Sequence, residues 1–147
     1  LEIDYLFLNA SSWLIKGELL DNVNFKIINL HNALLPNYRG LDAMMYSILD
    51  NNKIGLSAHI IDKGIDTGPI VGFKEIERFK RENIFELRAR LDNYKPIFIY
   101  ELIDRLNSSP IDFIIQDTEK GRHCNAIDFE KLVEVNELYR SGKETHN

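Results

Sequence analysis

An α/β fold, a mostly parallel sheet with helices on both faces, is what this sequence predicts. Three observations lead there. Short apolar runs recur along the chain: Asp4–Asn9, the β-branched Lys26–His31, Ile54–Asp62 and Ile70–Ile76. Their length is that of strands. Other segments carry apolar residues at helical spacing, first Leu41, Met44, Met45, Ile48 and Leu49, then Ile84, Leu87, Leu91 and Tyr94. Finally, the first two strand-like runs are separated by enough chain for a helical crossover, the connection that parallel neighbours require.

Composition bounds the reading. The chain has 147 residues, 44% of them hydrophobic, which suits one domain with its own core. A net charge of −5 argues against nonspecific binding to nucleic acid or to a membrane surface. No apolar run approaches the ~20 residues of a membrane span, and no signal peptide opens the sequence, so a cytoplasmic protein is expected. The single cysteine, Cys124, excludes an internal disulfide and is consistent with a reducing compartment. Arg122-His123-Cys124 lacks a second ligand pair at zinc-like spacing and reads as a loop, so no metal site is expected.

Taken in order, Asp4–Asn9 forms a strand. Ser11-Ser12 starts a short helix through Trp13, Leu14, Ile15, Leu19 and Leu20, and Asp21–Asn24 turns into the Lys26 strand. Pro36 and Gly40 break the chain into a loop. A helix follows from Leu41 to about Asn51, with Asp42 near its positive end. The Ile54 and Ile70 strands are joined by a loop so short that they should pair antiparallel. The next helix begins near Asn83, and Pro96 should kink or break it, since proline offers no N–H to the ladder. Its stripe resumes with Ile99, Leu102, Ile103 and Leu106. Phe113–Ile115 reads as a last short strand. Asp128 caps a final helix with Phe129, Leu132, Val133 and Leu138 inward.

Two stretches carry chemistry. Asn29 and His31 alternate along one strand and so share a face, at the carboxyl end where open α/β sheets take ligands. A buried histidine beside a satisfied amide would look the same, so the pair alone leaves both readings open. Gly64-Ile65-Asp66-Thr67-Gly68-Pro69 places a carboxylate in a Gly-rich turn, where it serves a site or makes a turn with its own backbone.

The combined pattern, Asn29-x-His31-x-x-Leu34-Leu35-Pro36-x-x-x-Gly40 followed by Asp66-Thr67-Gly68-Pro69, resembles the folate-dependent formyltransferases. These act on methionyl-tRNA, glycinamide ribonucleotide or sugar nucleotides, or hydrolyse 10-formyltetrahydrofolate. His31 and Asp66 lie 35 positions apart, close to the family spacing, and Gly55-Leu56-Ser57-Ala58-His59 is similar to the family's Gly-x-Thr-x-His strand. The resemblance covers roughly residues 3 to 116. It implies a Rossmann-like formyltransferase fold, with residues 1–117 as the catalytic segment and 118–147 as a carboxyl-terminal loop and helix packed on it. Members of the family open with further strands before the equivalent of Asp4, so the chain is expected to be amino-terminally incomplete. A homodimer covering the edge of the first strand is a further expectation.

What the resemblance implies for function is transfer of a formyl group from 10-formyltetrahydrofolate to a primary amine. Asn29, His31 and Asp66 become the catalytic residues. Asn29 points an amide donor at the oxyanion, His31 moves protons, and Asp66 orients His31. Trp13, Leu14, Ile15, Ile61, Gly64, Ile65 and Asp66 line the folate site. His59 matches a family histidine and reads as structural. Arg39-Gly40 either meets an anionic acceptor or closes the loop. Asn32-Ala33 stands where many members have Pro-Ser. The acceptor is read as a small-molecule amine, first an amino sugar on a nucleotide; the acidic balance argues against tRNA. Hydrolysis of the same donor, or a truncated domain without activity, are the alternatives.

Overall fold

The computed structural model describes residues 2–9, 15, 17–108 and 112–142. Ten elements follow in order: β1 (Tyr5–Asn9), α1 (Gly17–Asp21), β2 (Lys26–His31), β3 (Tyr38–Gly40), α2 (Ala43–Leu49), β4 (Ile54–Ile60), β5 (Ile70–Ile76), α3 (Ile84–Ser108), β6 (Arg122–Cys124) and α4 (Phe129–Ser141). The main sheet has the order β1-β2-β4-β5. β1 and β2 are parallel, joined by the segment that holds α1. β4 is antiparallel to both β2 and β5, so the sheet is parallel on its β1–β2 side and antiparallel beyond. The loop between β4 and β5 is too short for a crossover, which dictates their antiparallel pairing.

Alternation along β2 and β4 sorts side chains by face. Ile28, Leu30, Leu56 and Ala58 enter the core with Met44, Met45 and Ile48 of α2, Leu87 and Leu91 of α3, and Val135 of α4. Gly72 of β5 lies close to Leu102 and Phe98, which seats α3 on this same side. The opposite alternation brings Asn29 and His31 of β2 beside their register partners His59 and Ser57 of β4. Packing of one face therefore fixes the polar residues on the other.

Several elements differ from the sequence reading. Pro96 does not break α3, which runs unbroken through it. Its buried residues, Ile84, Leu87, Leu91, Lys95, Phe98 and Leu102, keep helical spacing across the proline. An interior proline costs about 3 kcal/mol, whereas burying Phe98 and Leu102 contributes about 1.5–3 kcal/mol each. The inward stripe passes through Lys95, whose Nζ donates to Asp92 Oδ1 at 2.7 Å, and leaves Ile103 exposed.

Arg122–Cys124 is a strand, not a loop: it pairs parallel with β3, itself part of the expected loop. Three-residue strands are too short to show a period. Phe113–Ile115 makes only a single bridge, Ile114 to Ile70. Helix α2 begins after Leu41, which is exposed, and Asp42 precedes it in a left-handed conformation with φ 48°. Asp128 caps α4 as expected, accepting from the Lys131 N–H at 2.8 Å. Of the residues expected inward on α4, Leu132 and Leu138 pack against the core, whereas Phe129 and Val133 are exposed; the fully buried side chains are Val135 and Tyr139. Tyr139 donates its hydroxyl to Glu82 Oε2 at 2.6 Å.

Among the described residues no helix is long and apolar enough to cross a membrane.

Candidate active site

β2 presents Asn29 and His31 to a cavity of about 410 Å³ that Asp66 and His59 also line. His31 is 7% exposed, and its Nε2 donates to the Tyr38 carbonyl at 2.8 Å. A carbonyl only accepts, so the neutral ring carries its proton on Nε2 and leaves Nδ1 bare. That Nδ1 lies 3.4 Å from Asp66 Oδ2. Burial lowers the His31 pKa from its ordinary value, against the opposing pull of Asp66 and the Tyr38 carbonyl.

Asp66 sits between two imidazoles. Its Oδ2 accepts the Gly40 N–H at 2.8 Å, and its Oδ1 lies 3.3 Å from His59 Nε2. Burial pushes its carboxyl up, but His59, His31 and the Gly40 amide together outweigh burial and hold it at about 2. Asp66 is thus an ionised, hydrogen-bonded carboxylate. Its backbone has φ 53°, in the left-handed region that non-glycine residues seldom occupy.

Asn29 contacts His59 Nε2 through Nδ2 at 3.3 Å, and His59 in turn donates Nδ1–H to the Ile60 carbonyl at 3.0 Å. Nδ2 carries two hydrogens and the His59 contact can engage no more than one of them, so at least one is available to a ligand. The loop after β2 is fixed by Ser57, whose hydroxyl donates to the Ala33 carbonyl at 2.7 Å and accepts the Leu35 N–H at 2.9 Å. The Leu35–Pro36 bond in this loop is cis.

All three residues expected to be catalytic therefore meet at one cavity. Of the residues expected at the folate, Ile15, Ile61, Gly64 and Ile65 line the same cavity. Trp13 and Leu14 lie outside the described residues. Asp62 shapes the loop, its Oδ1 accepting the Gly64 N–H at 3.0 Å and the Thr67 hydroxyl at 2.7 Å. Arg39 does not reach toward Asp66; its Nη2 donates to the Thr118 carbonyl at 3.0 Å.

Sequence reading missed three contributors. Arg88 and His123 line the cavity from distant parts of the chain. Gln116, 9% exposed, donates to the Asp66 and Gly68 carbonyls. The closeness of His59 to Asp66 was legible only in part, through the strand alternation it shares with Ser57. Cys124 is buried, and burial pushes its thiol up. Among the described residues no group of three His, Cys, Asp or Glu side chains is placed to hold a metal ion.

Comparison with known proteins gives a consistent result. The model of the formyl transferase family matches residues 1–103. A methionyl-tRNA formyltransferase of Thermodesulfovibrio yellowstonii is 33% identical over 109 residues, which are 74% of this chain and 35% of that protein. A phosphoribosylglycinamide formyltransferase of Bacillus subtilis is 34% identical over 91 residues, 61% of this chain and 47% of that one. The chain thus spans between about a third and a half of the length of these relatives. Among solved structures, the formyltransferase PseJ from Anoxybacillus kamchatkensis, in complex with UDP-4,6-dideoxy-4-formamido-L-AltNAc and tetrahydrofolate, superposes with a TM-score of 0.74 at 24% identity. The match covers 96% of this chain and 79% of that one. The shared architecture is the Rossmann-like formyltransferase fold. With the family model matched over most of the sequence, and an asparagine, a histidine and an aspartate gathered at one cavity, the chain belongs to the formyl transferase family.

Proposed function

We propose that this chain carries the catalytic centre for transfer of a formyl group from 10-formyltetrahydrofolate to a primary amine, with a nucleotide-linked amino sugar as the first acceptor class to test. The observation that carries the proposal is the Asp66 carboxylate 3.4 Å from Nδ1 of the buried His31, at the cavity that Asn29 also lines. A neutral imidazole is a base, and a fixed carboxylate stabilises the imidazolium that forms when it takes a proton.

The chemistry follows. The amine nitrogen attacks the formyl carbon, a C–N bond forms, and the carbonyl oxygen becomes an oxyanion. The free hydrogen of Asn29 Nδ2 is the donor for that oxyanion. His31 Nδ1 takes the proton that the amine nitrogen loses. The bond to N10 of the folate then breaks, and the same proton passes to N10. Ile15, Ile61 and Ile65 supply apolar walls, and the main chain around Gly64 supplies polar groups, a combination suited to a flat heteroaromatic ring. The likeness to a structure that holds tetrahydrofolate and a formamido sugar nucleotide supports this choice of donor and acceptor.

The test has two parts. Titration with a stable 10-formyltetrahydrofolate analogue should show saturable binding that Ile15→Asp abolishes. Incubation with the donor and an amino-sugar nucleotide should yield the formamido product. Release of free formate without an amine would replace transfer by hydrolysis; no binding by the folded chain would overturn the proposal.

A further inference from the structure

The loop that carries Asp66 has no strand of its own. β4 ends at Ile60 and β5 begins at Ile70, so the carboxylate sits in irregular chain. Its main chain is held in the left-handed region at φ 53°. The contact that answers this need comes from fifty positions away. Gln116 Nε2 donates to the Asp66 carbonyl at 3.0 Å and to the Gly68 carbonyl at 2.6 Å.

We propose that Gln116 is a positioning residue, whose amide clamps the Asp66 loop and so aims the Asp66 carboxylate at His31. The inference rests on the reading of His31 and Asp66 given above.

Chemistry makes the choice of residue specific. Two carbonyl oxygens face the amide, so it must present nitrogen, and one NH₂ group carries the two hydrogens needed. Glutamate would set oxygens against oxygens. Asparagine is one methylene shorter. The orientation also has a cost, because Oε1 is buried with no partner among the described residues. A buried unsatisfied acceptor destabilises a fold, and the two bonds from Nε2 offset it. Leucine would remove that orphan oxygen but leave both loop carbonyls without a donor.

The brace is itself anchored. On one side Ile114 exchanges two backbone hydrogen bonds with Ile70 of β5, at 2.8 and 2.9 Å. On the other, the Thr118 carbonyl accepts from Arg39 of β3. Gln116 lies between these ties, so its side chain extends from a stiff segment. The clamp sets the loop's main chain, and the loop sets the carboxylate. Asp66 Oδ2 then meets the Gly40 N–H at 2.8 Å, a contact that reports its place.

The test uses the chain as it stands. In the ¹H–¹⁵N spectrum of Gln116→Leu, the Gly40 amide should move in the direction it moves in Asp66→Ala. Its exchange with solvent should be at least about tenfold faster. The amides of Ile28 and Leu56, in the core, should not change. Formyl transfer should lose between about tenfold and a hundredfold in kcat, as for a misplaced reacting group, while KM for the donor changes less than about twofold. Gln116→Glu should lose at least as much. Should the leucine variant fail to fold, Gln116→Asn carries the same comparison. A Gly40 amide unchanged in a folded variant, or a loss confined to KM, overturns the proposal. If the unaltered chain transfers no formyl group, the catalytic reading falls, and the Gly40 amide still decides whether Gln116 positions Asp66.

Discussion

Asn29 and His31 lie in a strand paired on both sides, β1 along one edge and β4 along the other. Asp66 lies between strands and is held by discrete contacts: the Gly40 N–H at its carboxylate, the Gln116 amide at its carbonyl, and an Asp62-centred turn beside it. The first half of the site inherits its geometry from the sheet register. The second half depends on a few side chains. A change in the strand should therefore damage the fold and the site together, whereas a change around the loop should damage the site while sparing the fold.

The largest expected effect does not separate the two halves, and that makes it the control. His31→Ala and Asp66→Ala should each cut turnover at least about a hundredfold, as for loss of a general acid–base group. Near-normal turnover in either variant would remove that residue from the mechanism. The sharper contrast comes next. Leu30→Ala, beside His31 but facing the core at 2% exposure, should cost about 2–5 kcal/mol of stability. Urea unfolding would measure it, and a loss under about 1 kcal/mol would mean that the strand is not the rigid half.

A third prediction concerns acid. The Asp66 carboxyl sits at about 2 in the folded chain, against an ordinary 3.8. That depression contributes about 2 kcal/mol of stability, present above about pH 4 and lost as pH falls through about 2. His31 has a lowered folded pKa through burial. Below its unfolded value of ~6.5 the unfolded chain takes the proton more readily, so stability starts to fall there. Unfolding followed from pH 7 to pH 2 should show both losses. His31→Gln should remove the earlier one and leave the later one reduced, because His59 and the Gly40 amide still hold the Asp66 carboxyl low. The smallest effect should come from Asp62→Ala, which frees the Gly64 N–H and the Thr67 hydroxyl in exposed chain. Stability should change by less than about 1 kcal/mol, while turnover drops a few-fold, measured on the same preparation.

What was legible in the sequence divides along the same line. Strand alternation placed Asn29 with His31, and the matched motifs added Asp66, because both signals are local. The break that Pro96 suggested is absent because propensity is a local cost, and the packing that outweighs it, Phe98 and Leu102 in the core, is not visible at the proline itself. On α4 the expected Leu132 and Leu138 do pack inward, but Tyr139 was missed because its partner Glu82 lies in a distant part of the chain. Gln116 and Arg88 escaped for the same reason. Neither stands in a pattern that names its partner.

The pairing of β3 with β6 has a consequence for how the site comes into being. Gly40, whose N–H anchors Asp66, lies in β3, and β3 finds its parallel neighbour only when Arg122–Cys124 is present. The contact is non-local, of the kind that closes late because the entropy of the intervening loop must be overcome first. During synthesis the core strands and α2 can pack while the end of the chain is still unmade. Until β6 has emerged, the strand that carries the Gly40 anchor lacks its parallel neighbour. The surroundings of Asp66 are then a late-closing part of the fold.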